Sequence, residues 1–187
     1  INMLKVASES YAAQLKKLHD ESASFGVGNV TSKHYKTILN VVDKKGYTSI
    51  LDYGCGKGHF IEYAKKTMPS VRVAGYDVAS DEYSVLPSDN FDITICLDVL
   101  EHVEYGALAN VLSEIRDHTN HCFICSVANY PAAKVLPDGR NAHVTQMPFG
   151  YWFNLLSMYF RVDQFIRTGK AEGLIVGSAL KTQSDWR

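Results

Sequence analysis

"ILDYGCGKGHF", residues 50–60, sets glycines at 54, 56 and 58 directly behind an acidic residue, Asp52. Three bare positions at every second residue fall where an apolar run ends and a helix can begin. Glycine is needed at such a place when something approaches the backbone closely or when φ is positive. Upstream, TSILDY (48–53) reads as a short buried strand, and downstream KGHFIEYAKKT reads as a helix that ends near Pro69. Strand, glycine turn and helix in that order open a βαβ unit.

The alternation continues on both sides. VRVAGYD (71–77), FDITICLD (91–98) and HCFICSV (121–127) read as buried strands, and EYGALANVLSEIRDH as a helix with Leu108, Val111, Leu112 and Ile115 inward. FGYWFNLLSMYF gives a further helix. RVDQFIRTGK and AEGLIVGSALK give two late strands joined near Gly169 as an antiparallel hairpin. Toward the N-terminus, Leu4, Tyr11, Leu15 and Leu18 share a helical face, predicting a helix over 3–19. A loop follows over 20–30, then a second helix capped by Thr31 and stopped by Gly46. The fold class expected is α/β: a Rossmann-like, doubly wound, mostly parallel sheet with a C-terminal antiparallel hairpin. We expect a single domain over 1–187, with residues 1–45 as a helical lid and 46–187 as the core. In such sheets ligands bind beyond the carboxyl ends of the strands, so each loop after a strand is a candidate site.

Composition narrows the function classes. Lys and Arg number 19 against 20 Asp and Glu, a formal net charge of −1, which argues against a phosphate-backbone partner. No apolar run approaches the roughly 20 residues that span a bilayer, and INMLKVASES lacks the basic start and apolar stretch of a signal peptide. The four cysteines lie in apolar or glycine-rich stretches, as buried thiols do, which fits a reducing, cytoplasmic setting. Cys122 and Cys125 are spaced as a zinc half-site. On a strand, however, residues three apart face opposite ways, and no second pair exists. No metal is expected.

Two phosphate motifs do not fit the glycines. In G-x-G-x-x-G the sixth position is His59 here, which weighs against NAD or FAD, and Gly56-Lys57 is followed by Gly58 where a P-loop needs Ser or Thr. The spacing instead resembles D-x-G-x-G-x-G, the first motif of class I S-adenosylmethionine-dependent methyltransferases. Asp77, 19 residues after Gly58, ends the second strand as the acidic residue of those folds does. FDITICLDVLEHV (91–103) resembles the fourth-strand motif of the ubiquinone-biosynthesis type. LPDGRNAH (136–143) is similar to a segment of small bacterial and phage methyltransferases. The three ordered motifs cover about residues 48–127.

The resemblance implies S-adenosyl-L-methionine as cofactor and S-adenosyl-L-homocysteine as product. Asp52 would hold the cofactor's amino group, and bare backbone at Gly54, Gly56 and Gly58 would let it approach. Asp77 would take both ribose hydroxyls, and Tyr53, Val78, Leu97, Asp98 and Val99 would complete the wall. Glu101 and His102 would open toward the methyl-transfer pocket. The sequence departs from the family after Asp77, where only the 13 residues VASDEYSVLPSDN precede Phe91. That is too short for a helix and a strand, so an edge strand should be missing and adenine contacts pass to this loop, with Tyr83, Val85 and Leu86 as candidates.

The loop ANYPAAKVLPDGRNAHVTQMP lies at the reactive end of the sheet, is long for a connection, and gathers Asp138, Arg140, Asn141 and His143. Residues 128–148 are expected to wall the pocket opposite the lid, and His143, His102 and Arg140 are the candidate catalytic residues. Imidazole titrates near neutrality and so suits a base. Tyr11 and Tyr130 are candidates to face the sulfonium. His102 has an equally good reading as an anchor for the loop, and PDG as a plain turn. Glu101, His102 and His143 also resemble part of the carboxylate–histidine cluster of small-RNA 3′-end methyltransferases, with too few ligands.

The expected function is methyl transfer to a small-molecule or modest polar acceptor. Alternatives are a non-catalytic cofactor binder or partner-dependent subunit, a methyltransferase of nucleic-acid ends, aminopropyl transfer, and an NAD-dependent oxidoreductase.

Overall fold

In a computed structural model, residues 6–22, 25–26, 32–169 and 172–180 are described. The elements run α1 (Glu9–Glu21), α2 (Ser32–Lys45), β1 (Ser49–Tyr53), α3 (His59–Thr67), β2 (Arg72–Tyr76), β3 (Phe91–Leu97), α4 (Leu108–His118), β4 (Thr119–Ala128), α5 (Phe149–Ser157), β5 (Phe160–Arg167) and β6 (Glu172–Ala179). Short 3₁₀ turns at Leu100–His102 and Tyr105–Ala107 lie between β3 and α4.

One six-stranded sheet has the order β2-β1-β3-β4-β6-β5. β2, β1, β3 and β4 are mutually parallel, β6 runs antiparallel to β4, and β5 runs antiparallel to β6. The late hairpin therefore enters the sheet through its second strand. Residues 78–90 add neither helix nor strand, so β2 is the edge, as the short connection requires.

Both sheet faces are covered. Ile50, Ile93, Ile95 and Ile124 pack with Ile38, Leu39 and Val42 of α2 and Phe60 and Ala64 of α3. Leu51, Cys96, Phe123 and Cys125 pack with Leu108, Leu112 and Ile115 of α4 and Trp152 and Leu156 of α5. Each Val, Leu, Ile or Phe among them contributes about 1.5–3 kcal/mol on burial. Cys122 and Cys125 fall in opposite clusters, as their strand spacing demands.

Several boundaries differ from the sequence-based reading. α1 begins at Glu9, because Ser8 is extended and its hydroxyl accepts the Tyr11 N–H, an N-cap that fixes where the helix starts. Leu4 and the proposed cap Thr31 lie outside the described residues. The helix expected from residue 104 opens as a 3₁₀ turn, and the α5 segment stops at Ser157 because Phe160 begins β5.

Candidate active site

The parallel strands end together, bringing the turns after β1, β2 and β3 to one edge. Gly54, Gly56 and Gly58 have φ of +79°, +55° and +74°, a region costing other residues about 1–2 kcal/mol. Each also faces a close neighbour. A Cβ on Gly54 would lie 2.3 Å from Val99, one on Gly56 2.3 Å from the Gly26 carbonyl oxygen, and one on Gly58 2.6 Å from the Tyr83 hydroxyl. Much of the bareness thus admits the protein's own chain. The Lys57 N–H donates to the Gly26 carbonyl (2.8 Å) and Lys57 Nζ to the Ser22 carbonyl (3.0 Å), so the segment after α1 clasps the glycine turn.

Three carboxylates converge there. Asp77 Oδ2 accepts the Gly56 N–H and Oδ1 the Ala79 N–H, both at 2.8 Å, leaving further lone pairs on each oxygen. Asp52, 5% exposed, lines the same cavity without a hydrogen-bond partner for its carboxylate among the described residues. Burial and then the Asp77 charge push it up to about 8. Asp98 has φ +53°, the one non-glycine with positive φ among the described residues, and its Oδ1 accepts the Ser126 hydroxyl at 2.6 Å. Burial raises its pKa. A strained, half-buried acid at a cleft marks a functional position.

A cavity of about 260 Å³ joins these groups. Of the residues expected to hold cofactor, Asp52, Tyr53, Gly54, Gly56, Asp77, Val78, Leu97, Asp98 and Val99 line it, and Gly58 and Leu86 do not. Gly58 is turned to Tyr83, and Leu86 packs on the α4/α5 core. Val85 is 79% exposed and Tyr83 covers Gly58 and Gly75, so the short loop offers Val78 and Ala79 to the cavity instead. The N-terminal segment supplies Tyr11, Leu15, His19, Phe25, Gly26 and Tyr35. Tyr11, Leu15 and His19 recur every four residues, a stripe that the sequence displays. Phe25 and Gly26 have no such signal.

His102 is the one expected catalytic residue that lines the cavity. Its Nδ1 lies 2.8 Å from the Ala142 carbonyl, which only accepts, so Nδ1 carries the proton and Nε2 the free lone pair. Burial, then neighbouring His143, lowers its pKa to about 4, which keeps the ring neutral near pH 7. Glu101 does not open toward the cavity. It is fully buried, Oε1 accepts the Ala128 N–H at 2.8 Å, and burial raises its pKa well above the usual carboxylate range.

The 128–148 segment supplies none of the described lining. It folds back as a small hairpin bridged at Val135 and Asn141, and braces α1 from outside. The Asp138 N–H donates to Gln14, and the Arg140 guanidinium, paired with Asp138 at 2.7 Å, lies 5.6 Å from the Tyr11 ring centre. His143 is buried 4.6 Å from the His102 ring centre, with Nδ1 on the Tyr130 carbonyl. Tyr130 bonds to Glu172. Arg140, His143 and Tyr130 therefore stand behind the cavity wall, because the hairpin turns its backbone toward His102 and its charges outward. Among the described residues no group of three His, Cys, Asp or Glu is arranged for a metal ion, and no helix is long and apolar enough to cross a membrane.

A parallel sheet closed by an antiparallel hairpin, with a glycine turn after β1 and acids after β1, β2 and β3, is the arrangement of the Rossmann-like methyltransferases. The chain belongs to the methyltransferase domain family, whose sequence model matches residues 8–163. Solved structures share the fold. A 1,6-didemethyltoxoflavin-N1-methyltransferase from Burkholderia thailandensis, with bound 1,6-didemethyltoxoflavin and S-adenosylhomocysteine, superposes at a TM-score of 0.69 and 16% identity, covering 97% of this chain and 94% of that one. The N-methyltransferase NodS from Bradyrhizobium japonicum WM9, in complex with S-adenosyl-L-homocysteine, gives 0.64 and 12%, covering 92% and 100%. The methyltransferase domain of bacterial CtHen1 gives 0.59 and 17%, covering 80% and 100%. No curated protein matches the chain in sequence.

Proposed function

We propose that this chain transfers a methyl group from S-adenosyl-L-methionine to a small-molecule or modest polar acceptor. The observation that carries this is the pair Asp52 and Asp77, on either side of bare backbone in one cavity, the first with an unused buried carboxylate and the second fixed by two N–H donors. A cavity offering a buried, unpartnered carboxylate fits a ligand with an ammonium group, and the spare lone pairs on Asp77 fit vicinal hydroxyls. Asp52 would hold the amino group, Asp77 the ribose, and Val78, Ala79, Leu97 and Val99 the flat apolar parts.

When bound, the cofactor supplies an electrophilic methyl on its sulfonium. The protein's own contribution is placement, for which good geometry supplies about 7–11 kcal/mol, and acceptance of the proton that the acceptor loses. His102 Nε2 is the lining nitrogen with a free lone pair for that second role. Burial makes it a weaker base than a free imidazole, so it suits an acceptor that gives up its proton only as the methyl bond forms. The described lining contains three Asp and three His but neither Lys nor Arg. That electrostatic character disfavours a phosphate-bearing acceptor, and the fold shared along 97% of the chain with an enzyme bound to 1,6-didemethyltoxoflavin also supports a small molecule.

Calorimetric titration with S-adenosylhomocysteine tests the reading. Saturable one-site binding that Asp77→Ala severely weakens is expected, and an affinity indifferent to Asp77 would overturn it.

A further inference from the structure

The hairpin after β4 sits at the reactive edge yet gives the cavity no described side chain. Its side chains back the lining residues from behind, and the hydrogen bond it makes to a lining side chain comes from the Ala142 carbonyl, which receives the His102 Nδ1 proton. We propose that Asn141 is a positioning residue that sets the tautomer of His102 by aiming this carbonyl. The inference rests on the reading of His102 as proton acceptor.

The geometry is specific to Asn141. Its Oδ1 accepts the Ala132 N–H at 2.8 Å and the His143 N–H at 3.0 Å, while Nδ2 donates to the Ala132 carbonyl at 2.8 Å. One amide side chain thus ties both arms of the hairpin together on either side of Ala142. The Ala142 carbonyl shares its peptide plane with the His143 N–H that Asn141 Oδ1 holds. The Ala142 N–H, on the preceding peptide, is spent on the Lys134 carbonyl at 3.0 Å, so neither peptide flanking Ala142 rotates without breaking the clasp. Ala142 is fully buried, which shuts out water as a substitute acceptor.

A neutral imidazole has two tautomers, and the partner of one nitrogen decides which is populated. A carbonyl fixed on Nδ1 forces the proton there and leaves Nε2 basic. Without it the proton is free to move to Nε2, and the ring loses its acceptor atom on that side. The other groups around His102 do not make this choice. Phe25 and His143 meet the ring edge-to-face at 5.5 and 4.6 Å between centres, and the Tyr11 hydroxyl binds the His102 backbone carbonyl.

Long-range ¹H–¹⁵N spectra of the full chain at pH 7 read the tautomer directly, with no acceptor substrate. In the wild type, His102 should show a protonated Nδ1 and a bare Nε2. In Asn141→Ala the two ¹⁵N signals should exchange places or merge into an averaged pair. Asn141→Asp keeps both accepted N–H bonds and should hold more of the wild-type pattern. It also provides the comparison should the alanine variant unfold. Titration of the same variants with S-adenosylhomocysteine reports whether the cavity is intact, so a failure of the cofactor reading would show as a wild type that does not bind. A wild-type His102 protonated on Nε2, wild-type His102 signals unchanged in folded Asn141→Ala, or an Asn141→Asp whose His102 has moved its proton to Nε2 would overturn the proposal.

Discussion

The Asp77 carboxylate accepts the Gly56 N–H at 2.8 Å, so the acid that ends β2 holds the shape of the turn that ends β1. Two parts of the proposed site are thereby one unit, and neither can be changed alone. Removing Asp77 should cost both the ligand's hydroxyls and the turn. Hydrogen bonds to a charged group contribute about 1.5–3 kcal/mol each. Losing the two hydroxyl bonds in Asp77→Ala, about 3–6 kcal/mol together, should therefore weaken S-adenosylhomocysteine binding by roughly 10²- to 10⁴-fold in calorimetry.

Asp52 predicts a pH dependence. In the free protein its carboxyl is pushed up to about 8 by burial and Asp77, so it is protonated near neutrality. An ammonium group needs the ionised form, so binding below that pH must release a proton. Affinity for S-adenosylhomocysteine should rise with pH up to about 8 and then level. Calorimetry in buffers of different ionisation enthalpy should count one proton released at pH 6.5. In Asp52→Asn both the slope and the proton should vanish.

Gly56 and Gly46 offer a controlled comparison. Both have positive φ, but a Cβ on Gly46 meets nothing within 4 Å, while one on Gly56 meets the Gly26 carbonyl at 2.3 Å. Gly46→Ala should cost only the conformational strain, about 1–2 kcal/mol, a drop of roughly 2–8 °C in a chain of this size. Gly56→Ala should lose more and also weaken ligand binding, because the clasp over the cavity is displaced. Thermal melts with and without S-adenosylhomocysteine separate the two effects.

Glu101 is expected to act as a neutral buried acid. Its Oε1 serves the Ala128 N–H, and Glu101→Gln keeps that acceptor. The Gln variant should lie within about 1 kcal/mol of wild type in denaturant melts, whereas Glu101→Leu, which strands the buried N–H, should lose about 1–3 kcal/mol. A Gln variant as damaged as the Leu variant would mean that the charge itself is required.

What the sequence displayed follows from local periodicity. The strand–glycine–helix of residues 48–67, the acid at 77, and the missing strand after it are all readable from short windows, because each depends on neighbours a few residues apart. The entry of β6 between β4 and β5 depends on pairing across about 50 residues and leaves no local mark. The same holds for Val99 against Gly54 and Gly26 against Gly56, contacts that only the folded chain makes. Arg140 and His143 show the limit most clearly. Their clustering in one polar loop pointed to the pocket, but which way a loop turns its side chains is set by its backbone bonds, here by Asn141 and the bridge at Val135. His102 was visible in its motif, while the carbonyl that orients it lies 40 residues on.

The cavity bounded by Asp52, Asp77 and the turn between Gly54 and Gly56 is the proposed seat of the methyl donor. A crystal structure with saturating S-adenosylhomocysteine tests this most directly. The predicted result is the ligand's amino group at Asp52 and its ribose at Asp77, with the sulfur end facing His102. Ligand bound elsewhere on the protein, or crystals of the fully liganded solution with that cavity vacant, would contradict it.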